Sequence, residues 1–182
     1  MTETDRLWWD ARYRADDVEA GEEMLGLPAL FAPFVELFPT SGNALELACG
    51  RGQTSVWLAA RGLDVLGVDI SAVALRRARD LATSRGVGGR CRFEVADLDS
   101  GLPPGPPADV VICHMFRDAR LDQSIVDRLV VGGLLAVAAL SEVGSGPGRF
   151  RVAAGELAAA FPALSVVAGG EGTGRAWLLA RR

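Results

Sequence analysis

Between residues 43 and 140, short apolar runs alternate with helical stretches, and this alternation limits the fold more than any other feature of the chain. The runs are apolar at consecutive positions, which is typical of parallel strands covered by helices on both faces. A strand with one face in water would instead alternate apolar and polar residues. The pattern predicts strands over residues 44–48, 64–68, 92–95, 108–113 and 134–140.

Helices are predicted in the gaps between these strands. Ser71 is a favourable first residue for one of them, because its hydroxyl can accept a hydrogen bond from an otherwise unpaired backbone N–H. Gly86 is a typical end for that helix, and Gly132 with Gly133 should stop a later one. The predicted helices cover residues 53–61, 71–85, 122–130 and about 156–161.

The end of the chain departs from this alternation. Two further strands are predicted over 164–168 and 175–180, and the glycine-rich segment 169–174 between them is too short for a crossover helix. Such strands must pair antiparallel, as a hairpin. We therefore expect one α/β domain, 1–182. Residues 1–40 form a helical cap, and 41–182 form a Rossmann-like, mostly parallel seven-stranded sheet with helices on both faces.

Composition narrows the class of protein. With 182 residues, 49% of them hydrophobic, the chain can bury a core without disulfides. Its three cysteines form no Cys-x-x-Cys pair, and a single histidine cannot complete a zinc site of the usual kind, so we predict reduced thiols and no metal. A polar start and the lack of an apolar stretch of ~20 residues indicate no signal peptide and no membrane span. These features predict a soluble, cytoplasmic protein.

Charge gives no support to a nucleic-acid partner. The formal net charge is −4, whereas phosphates favour a basic protein face. Arg76, Arg77, Arg79 and Arg85 do cluster, but they alternate with apolar residues of a predicted helix and are interpreted as its solvated face. We expect no nucleic-acid partner.

Acidic residues near a glycine turn form the candidate site. Glu46 lies inside the first predicted strand, where a carboxylate is unfavourable without a partner. Gly50 and Gly52 follow and allow a ligand to approach the backbone closely, beside the N-terminus of the next helix. Asp69 ends the second strand, where it can hydrogen-bond both hydroxyls of a ribose. Asp97 follows the third strand, where it can accept from an adenine amino group or simply cap a turn.

Glycine turns followed by an acid also occur in nicotinamide-binding folds. Two residues argue against that alternative. Ser55 stands where the dinucleotide fingerprint has glycine or alanine, and Glu46 would repel a pyrophosphate but suits the amino group of a methionine. The antiparallel ending also differs from the usual dehydrogenase ending.

Three segments resemble successive motifs of class I S-adenosylmethionine-dependent methyltransferases: Glu-Leu-Ala-Cys-Gly-Arg-Gly at 46–52, Gly-Val-Asp-Ile-Ser at 67–71 and Ala-Asp-Leu at 96–98. The match spans roughly residues 43–140. Trp-Trp-Asp-Ala-Arg-Tyr at 8–13 resembles the cap of small members, including the thiopurine and tellurite-resistance types. Gln53 departs from the many relatives with a third glycine, although the tellurite-resistance type tolerates a larger residue there.

The resemblance implies a role for each matching residue toward S-adenosylmethionine. Glu46, Gly50 and Gly52 would hold the methionine end, Asp69 the ribose, and Asp97 with Leu98 the adenine. The other residues assigned to the cofactor pocket are Ala48, Ile70, Cys113, Tyr13 and Arg12. The last two, with Trp8 and Trp9, would form a lid, although the same aromatic residues could simply pack.

The implied reaction is methyl transfer to the oxygen, nitrogen or sulfur of a small molecule. His114, after the fourth strand, is the candidate general base, or alternatively a partly buried histidine that lines the pocket. Two other functions stay open, a non-catalytic S-adenosylmethionine-binding regulator or partner subunit and, less favoured, a nicotinamide-dependent oxidoreductase. We expect a monomer or homodimer with a small-molecule methyl acceptor as its partner.

Overall fold

A mixed sheet with helices on both faces forms the centre of the computed structural model, which describes residues 3–15, 25–148 and 150–182. The helices are α1 Glu3–Ala15, α2 Gln53–Ala60, α3 Ala72–Ser84, α4 Asp122–Arg128 and α5 Glu156–Ala159. The strands are β1 Asn43–Leu47, β2 Asp64–Asp69, β3 Cys91–Val95, β4 Ala108–His114, β5 Leu129–Ser141, β6 Arg151–Val152, β7 Ser165–Gly172 and β8 Arg175–Arg181.

The strand order is β3-β2-β1-β4-β5-β8-β7, with β6 paired to β5 outside this path. Strands β1 to β6 pair in parallel, whereas β8 runs antiparallel to both β5 and β7. The predicted α/β class, parallel sheet and closing hairpin are confirmed. The sheet has eight strands in place of the predicted seven, because β6, a two-residue strand in a loop, gives no sequence signal.

The two faces of the sheet carry separate cores. One face, which we call the α2 face, packs β1, β2, β4 and β5 against α2 and the segment 27–38, with Leu58, Ile112 and Leu134 fully buried. The opposite face, the α4 face, packs Leu47 and Leu135 against α4 and α5. This division follows from the right-handed crossover between parallel strands, which places helices on opposite faces on either side of β1 and β4.

Three predicted boundaries are wrong. Helix α4 ends at Arg128, not at about Val130, and β5 runs from Leu129 through both glycines, because Leu129 pairs with Ala108 across a bulge. Segment 25–38, predicted to be helical, forms only a 3-10 helix, Ala32–Leu37, since the prolines lack the N–H that a longer helix needs.

The third wrong boundary is that of the final hairpin. Strand β7 continues to Gly172, so only Thr173 and Gly174 connect it to β8. Both residues have positive φ, +49° and +76°, as the tight two-residue turns of hairpins require. Among the described residues no helix is long and apolar enough to span a bilayer.

A buried side-chain pair attaches α1 to the start of α3. Ser71 caps α3 as predicted, since its Oγ accepts from the backbone N–H of Ala74 at 3.2 Å. The same hydroxyl donates to the Asp10 carboxylate of α1 at 2.5 Å, and both residues are buried. One hydroxyl therefore serves both the helix cap and the docking of α1.

We expect Ser71→Ala to lower the free energy of unfolding by roughly 2 kcal/mol, because it removes the cap and a hydrogen bond to a buried carboxylate. Urea denaturation measures the change. Ser84→Ala, at the exposed end of the same helix, is the control and should change stability by less than about 0.5 kcal/mol. Equal stabilities for the two variants would contradict this account of the α1 contact.

Candidate cofactor and methyl-acceptor site

The loop after β1 has a backbone conformation that few residues tolerate. Ala48, Gly50 and Gly52 all have positive φ, at +52°, +53° and +74°. A Cβ added to Gly52 would lie 2.8 Å from the Cβ of Ala78, so no larger residue fits there. Such strain is costly for Ala48 and is commonly found where a ligand approaches the backbone.

Asp69 connects this loop to the start of α3. Its Oδ2 accepts from the backbone N–H of Gly50 at 2.9 Å, and its Oδ1 accepts from that of Ser71 at 2.8 Å. The carboxylate is buried, and burial raises its pKa despite these hydrogen bonds. A carboxylate has about four acceptor positions, so the group can still accept a hydrogen bond from a ribose hydroxyl.

Glu46 lies deeper on the same face of the sheet. Its carboxylate accepts a short hydrogen bond from Ser55 Oγ and is only 5% exposed. Burial raises its pKa to about 7, which the hydrogen bonds from Ser55 and Thr54 partly oppose. Among the described residues neither Glu46 nor Asp69 has a cationic ion-pair partner.

These observations test whether S-adenosylmethionine fits the site. Two buried carboxylates without a counter-charge, beside a glycine loop and a helix N-terminus, suit a ligand with an ammonium group and hydroxyl donors. S-adenosylmethionine carries both, on its methionine and ribose parts. The site therefore has the hydrogen-bond acceptors that the ammonium and hydroxyl groups of this cofactor need.

Tyr13 and Arg12 of α1 take different positions. A Cβ on Gly50 would lie 2.8 Å from the Tyr13 hydroxyl, so the Tyr13 ring covers the glycine loop. Burial raises the pKa of Tyr13, and the negative charge of Asp69 raises it further. Arg12 is exposed, and its guanidinium lies 5.6 Å from the ring centres of Trp8 and Trp9. The structure thus brings Tyr13, and not Arg12, to the glycine loop.

The remaining predicted cofactor residues divide between the two faces. Ile70 is buried directly after Asp69. Asp97 Oδ1 accepts from the backbone N–H of Asp99 at 3.0 Å, so its side chain caps a turn. Leu98 and Cys113 belong to the α4-face core, where Cys113 Sγ donates to the Phe116 carbonyl at 3.0 Å. Their side chains thus pack away from Glu46.

His114 is the last residue of β4, half-buried on the same face of the sheet as Glu46. Burial lowers its pKa, and the positive charge of Arg175 lowers it further. At neutral pH the imidazole is uncharged and able to accept a proton. Met115, the next residue, has φ of +61°. The loop after β4 thus contains a non-glycine residue with positive φ, as the loop after the neighbouring strand β1 does at Ala48.

The sequence assigned no role to Asp10, and it did not indicate that Ser55 contacts Glu46. Asp10 is 4% exposed and bonds to Ser71, while Ser55, 0% exposed, holds Glu46. An acid among aromatic residues of one helix was the available signal for Asp10. Arg117, in the loop after β4, forms a two-pronged ion pair with Asp122. Within the described residues no cluster of three or more potential metal ligands occurs.

Comparison with known proteins supports the resemblance seen in the motifs. A family model described as a methyltransferase domain matches residues 44–131, which include the glycine loop and Asp69. Residues 44–131 therefore carry a methyltransferase domain of the kind that the motifs indicated. The resemblance proposed from the motifs is confirmed.

Two curated relatives of this chain have different substrates in their names. It is 41% identical over 91 residues to a ribosomal RNA small subunit methyltransferase C of Alcanivorax borkumensis, covering 50% of this chain and 27% of the relative. It is 31% identical over 144 residues to trans-aconitate 2-methyltransferase of Streptomyces coelicolor, covering 75% and 46%. The chain thus spans less than half the length of these relatives.

The fold matches solved methyltransferase structures over most of the chain. TehB from Haemophilus influenzae superposes with a TM-score of 0.76 at 17% identity, covering 92% of this chain and 66% of TehB. At that identity the likeness concerns the fold alone.

We expect Glu46→Gln to stabilise the ligand-free protein by an amount that grows with pH. The folded-state pKa of Glu46, about 7, lies above the ordinary value of 4.5. The free energy of unfolding of the wild type therefore falls as the pH rises from about 4.5 to about 7. The variant should be about as stable as the wild type near pH 4.5 and more stable by ~3 kcal/mol near pH 9.

Urea denaturation at several pH values measures this difference. Glu36→Gln, which changes an exposed carboxylate, is the matched control and should show no such trend. A difference between wild type and Glu46→Gln that does not depend on pH would show that Glu46 is not a buried, uncompensated acid.

Proposed function

We propose that this chain binds S-adenosylmethionine at the glycine loop and transfers its methyl group to a small-molecule nucleophile. The observation that carries the proposal is Asp69, which hydrogen-bonds the Gly50 N–H while it faces the same site as the buried Glu46. The family match supports the cofactor and the reaction class. The same match favours this function over a nicotinamide-dependent oxidoreductase.

When bound, the cofactor supplies a methyl group on a positively charged sulfur, which is already a good electrophile. The protein then needs mainly to hold a nucleophile in line with the S–CH₃ bond, and such positioning contributes ~7–11 kcal/mol. Glu46 and Asp69 would hold the amino and ribose ends, where they bind the cofactor without binding the sulfur. Tyr13 would close over the loop and exclude water.

The small-molecule class of the acceptor is part of this proposal. A formal net charge of −4 gives little attraction to RNA, although one curated relative is named for ribosomal RNA. Arg79, from the predicted basic cluster, donates to the Phe93 carbonyl at 2.6 Å and so serves the contact between α3 and β3. We propose no nucleic-acid partner.

Asp69→Asn should bind S-adenosylmethionine and S-adenosylhomocysteine at least ~10-fold more weakly than the wild type, because hydrogen bonds to a charged group contribute about 1.5–3 kcal/mol each. Calorimetric titration measures both affinities. Asp64→Asn, at the exposed opposite end of the same strand, is the control and should bind normally. A folded wild-type protein that binds neither compound would refute the proposed cofactor.

His114→Gln should lower turnover by ~10²-fold or more and leave the affinity for S-adenosylhomocysteine unchanged, if the neutral imidazole removes the proton from the nucleophile. Formation of S-adenosylhomocysteine with a panel of small thiols, amines and hydroxyl compounds measures turnover. Unchanged turnover in the variant would remove His114 from the mechanism.

One observation favours a second candidate, a cofactor-binding regulator or partner subunit without catalysis. No described side chain hydrogen-bonds to His114, so nothing orients its imidazole as a paired carboxylate would. Tight cofactor binding together with no turnover on any acceptor of the panel would favour this alternative.

A further inference from the structure

An open groove of about 580 Å³ lies beside the closing hairpin, at the edge of the sheet where the glycine loop and His114 also lie. Small-molecule sites commonly have volumes of this order. The groove is lined by Leu30, the segment 170–173, Arg175 and Trp177.

Glycines create this groove. Gly170 and Gly172 pair with Trp177 and Arg175, so all four positions are on the α2 face. Strand β7 therefore presents bare backbone there. A Cβ on Gly170 would lie 2.8 Å from the indole nitrogen of Trp177, so the indole lies directly against this strand.

The groove and His114 share one row of the sheet. His114 of β4 pairs with Ala138 of β5, which in turn pairs with Trp177 of β8. Paired residues point to the same face, so the imidazole and the indole lie on either side of Ala138, which is fully buried. Strands lie ~4.8 Å apart, which separates the two backbones by roughly 10 Å, about the width of a small aromatic ring with its contacts.

The lining combines an aromatic wall with one cation. The Trp177 ring packs against Phe34, with ring centres 5.5 Å apart, and this contact fixes one wall. Arg175 is exposed, and within the described part of the chain its guanidinium has no hydrogen bond and no ion pair. Glu171, the only acid in the lining, is occupied by Ser141 Oγ at 2.7 Å and the Gly155 N–H at 2.9 Å.

We propose that the methyl acceptor is a small organic anion, whose apolar or aromatic body lies against Trp177 and whose negative group binds Arg175. This inference rests on the proposed methyl transfer and adds its substrate class. Arg175 determines specificity in this account, because it selects anions from neutral molecules of the same shape, and His114 lies two strands away in the same row of the sheet.

The test uses phenylacetate, phenyl phosphate and neutral phenylacetamide as probes, titrated into the full chain at constant ionic strength and followed by ligand-observed NMR. Calorimetry first establishes whether S-adenosylhomocysteine binds, and the probes are then titrated with and without it. The variants are Arg175→Gln, Arg175→Lys and Trp177→Leu, with Arg85→Gln as the control at the exposed arginine directly after α3.

We expect at least one anion to bind the wild type and Arg175→Gln to weaken it by ~5-fold or more. Arg175→Lys should lie between them, Arg85→Gln should bind normally, and Trp177→Leu should weaken all probes that bind. Phenylacetamide should not respond to Arg175→Gln. The choice between carboxylate and phosphate follows from which anion binds more tightly.

Equal anion affinity in wild type and Arg175→Gln, or no anion binding at all, would overturn this inference. If S-adenosylhomocysteine binds in those cases, the proposed methyltransferase function stands and only the substrate class fails. If S-adenosylhomocysteine does not bind, the function itself fails, whatever the probes do.

Discussion

The carboxylate of Asp69 is the interaction on which the candidate site depends. It accepts one hydrogen bond from the backbone N–H of Gly50, in the loop after β1, and one from that of Ser71, directly before α3. The two loops leave the neighbouring strands β1 and β2, and the backbone N–H of Cys49 adds a hydrogen bond to the Val68 carbonyl at 2.9 Å. Ser71 extends the connection to Asp10 on α1, so one run of polar contacts joins the cap helix, the glycine loop and the sheet.

This arrangement has an electrostatic cost that a ligand can offset. Asp10, Glu46 and Asp69 are all buried, and burial raises the pKa of the last two. A protein interior stabilises such groups only through hydrogen bonds or a cation. Their hydrogen bonds are in place, while no described cation pairs with Glu46 or Asp69. A cofactor with an ammonium group would complete the site and strengthen the docking of Tyr13 over it.

The sequence predicted the features that local chemistry determines. Ser71 as the cap of α3, the parallel strands and the closing hairpin follow from side-chain type and spacing, and the structure confirms them. Long-range pairing decided what was missed. Asp10 is recognisable as a partner of Ser71 only once α1 lies on α3, and β5 includes Gly132 only because Leu129 reaches Ala108 of β4.

The faces of the sheet explain why neighbouring residues at one strand end have different surroundings. Cys113 and His114 are consecutive, yet the first side chain lies in the α4-face core and the second on the face of Glu46. The same alternation places Trp177 and Arg175 on the His114 face and leaves Gly170 as bare backbone between them and solvent. The glycine-rich segment 169–174 is thus mostly strand, and the missing side chain of Gly170 leaves room for the indole of Trp177. At the glycine loop, the missing side chain of Gly50 leaves room in the same way for the hydroxyl of Tyr13. Both halves of the proposed site therefore depend on glycines that let an aromatic side chain lie against the backbone.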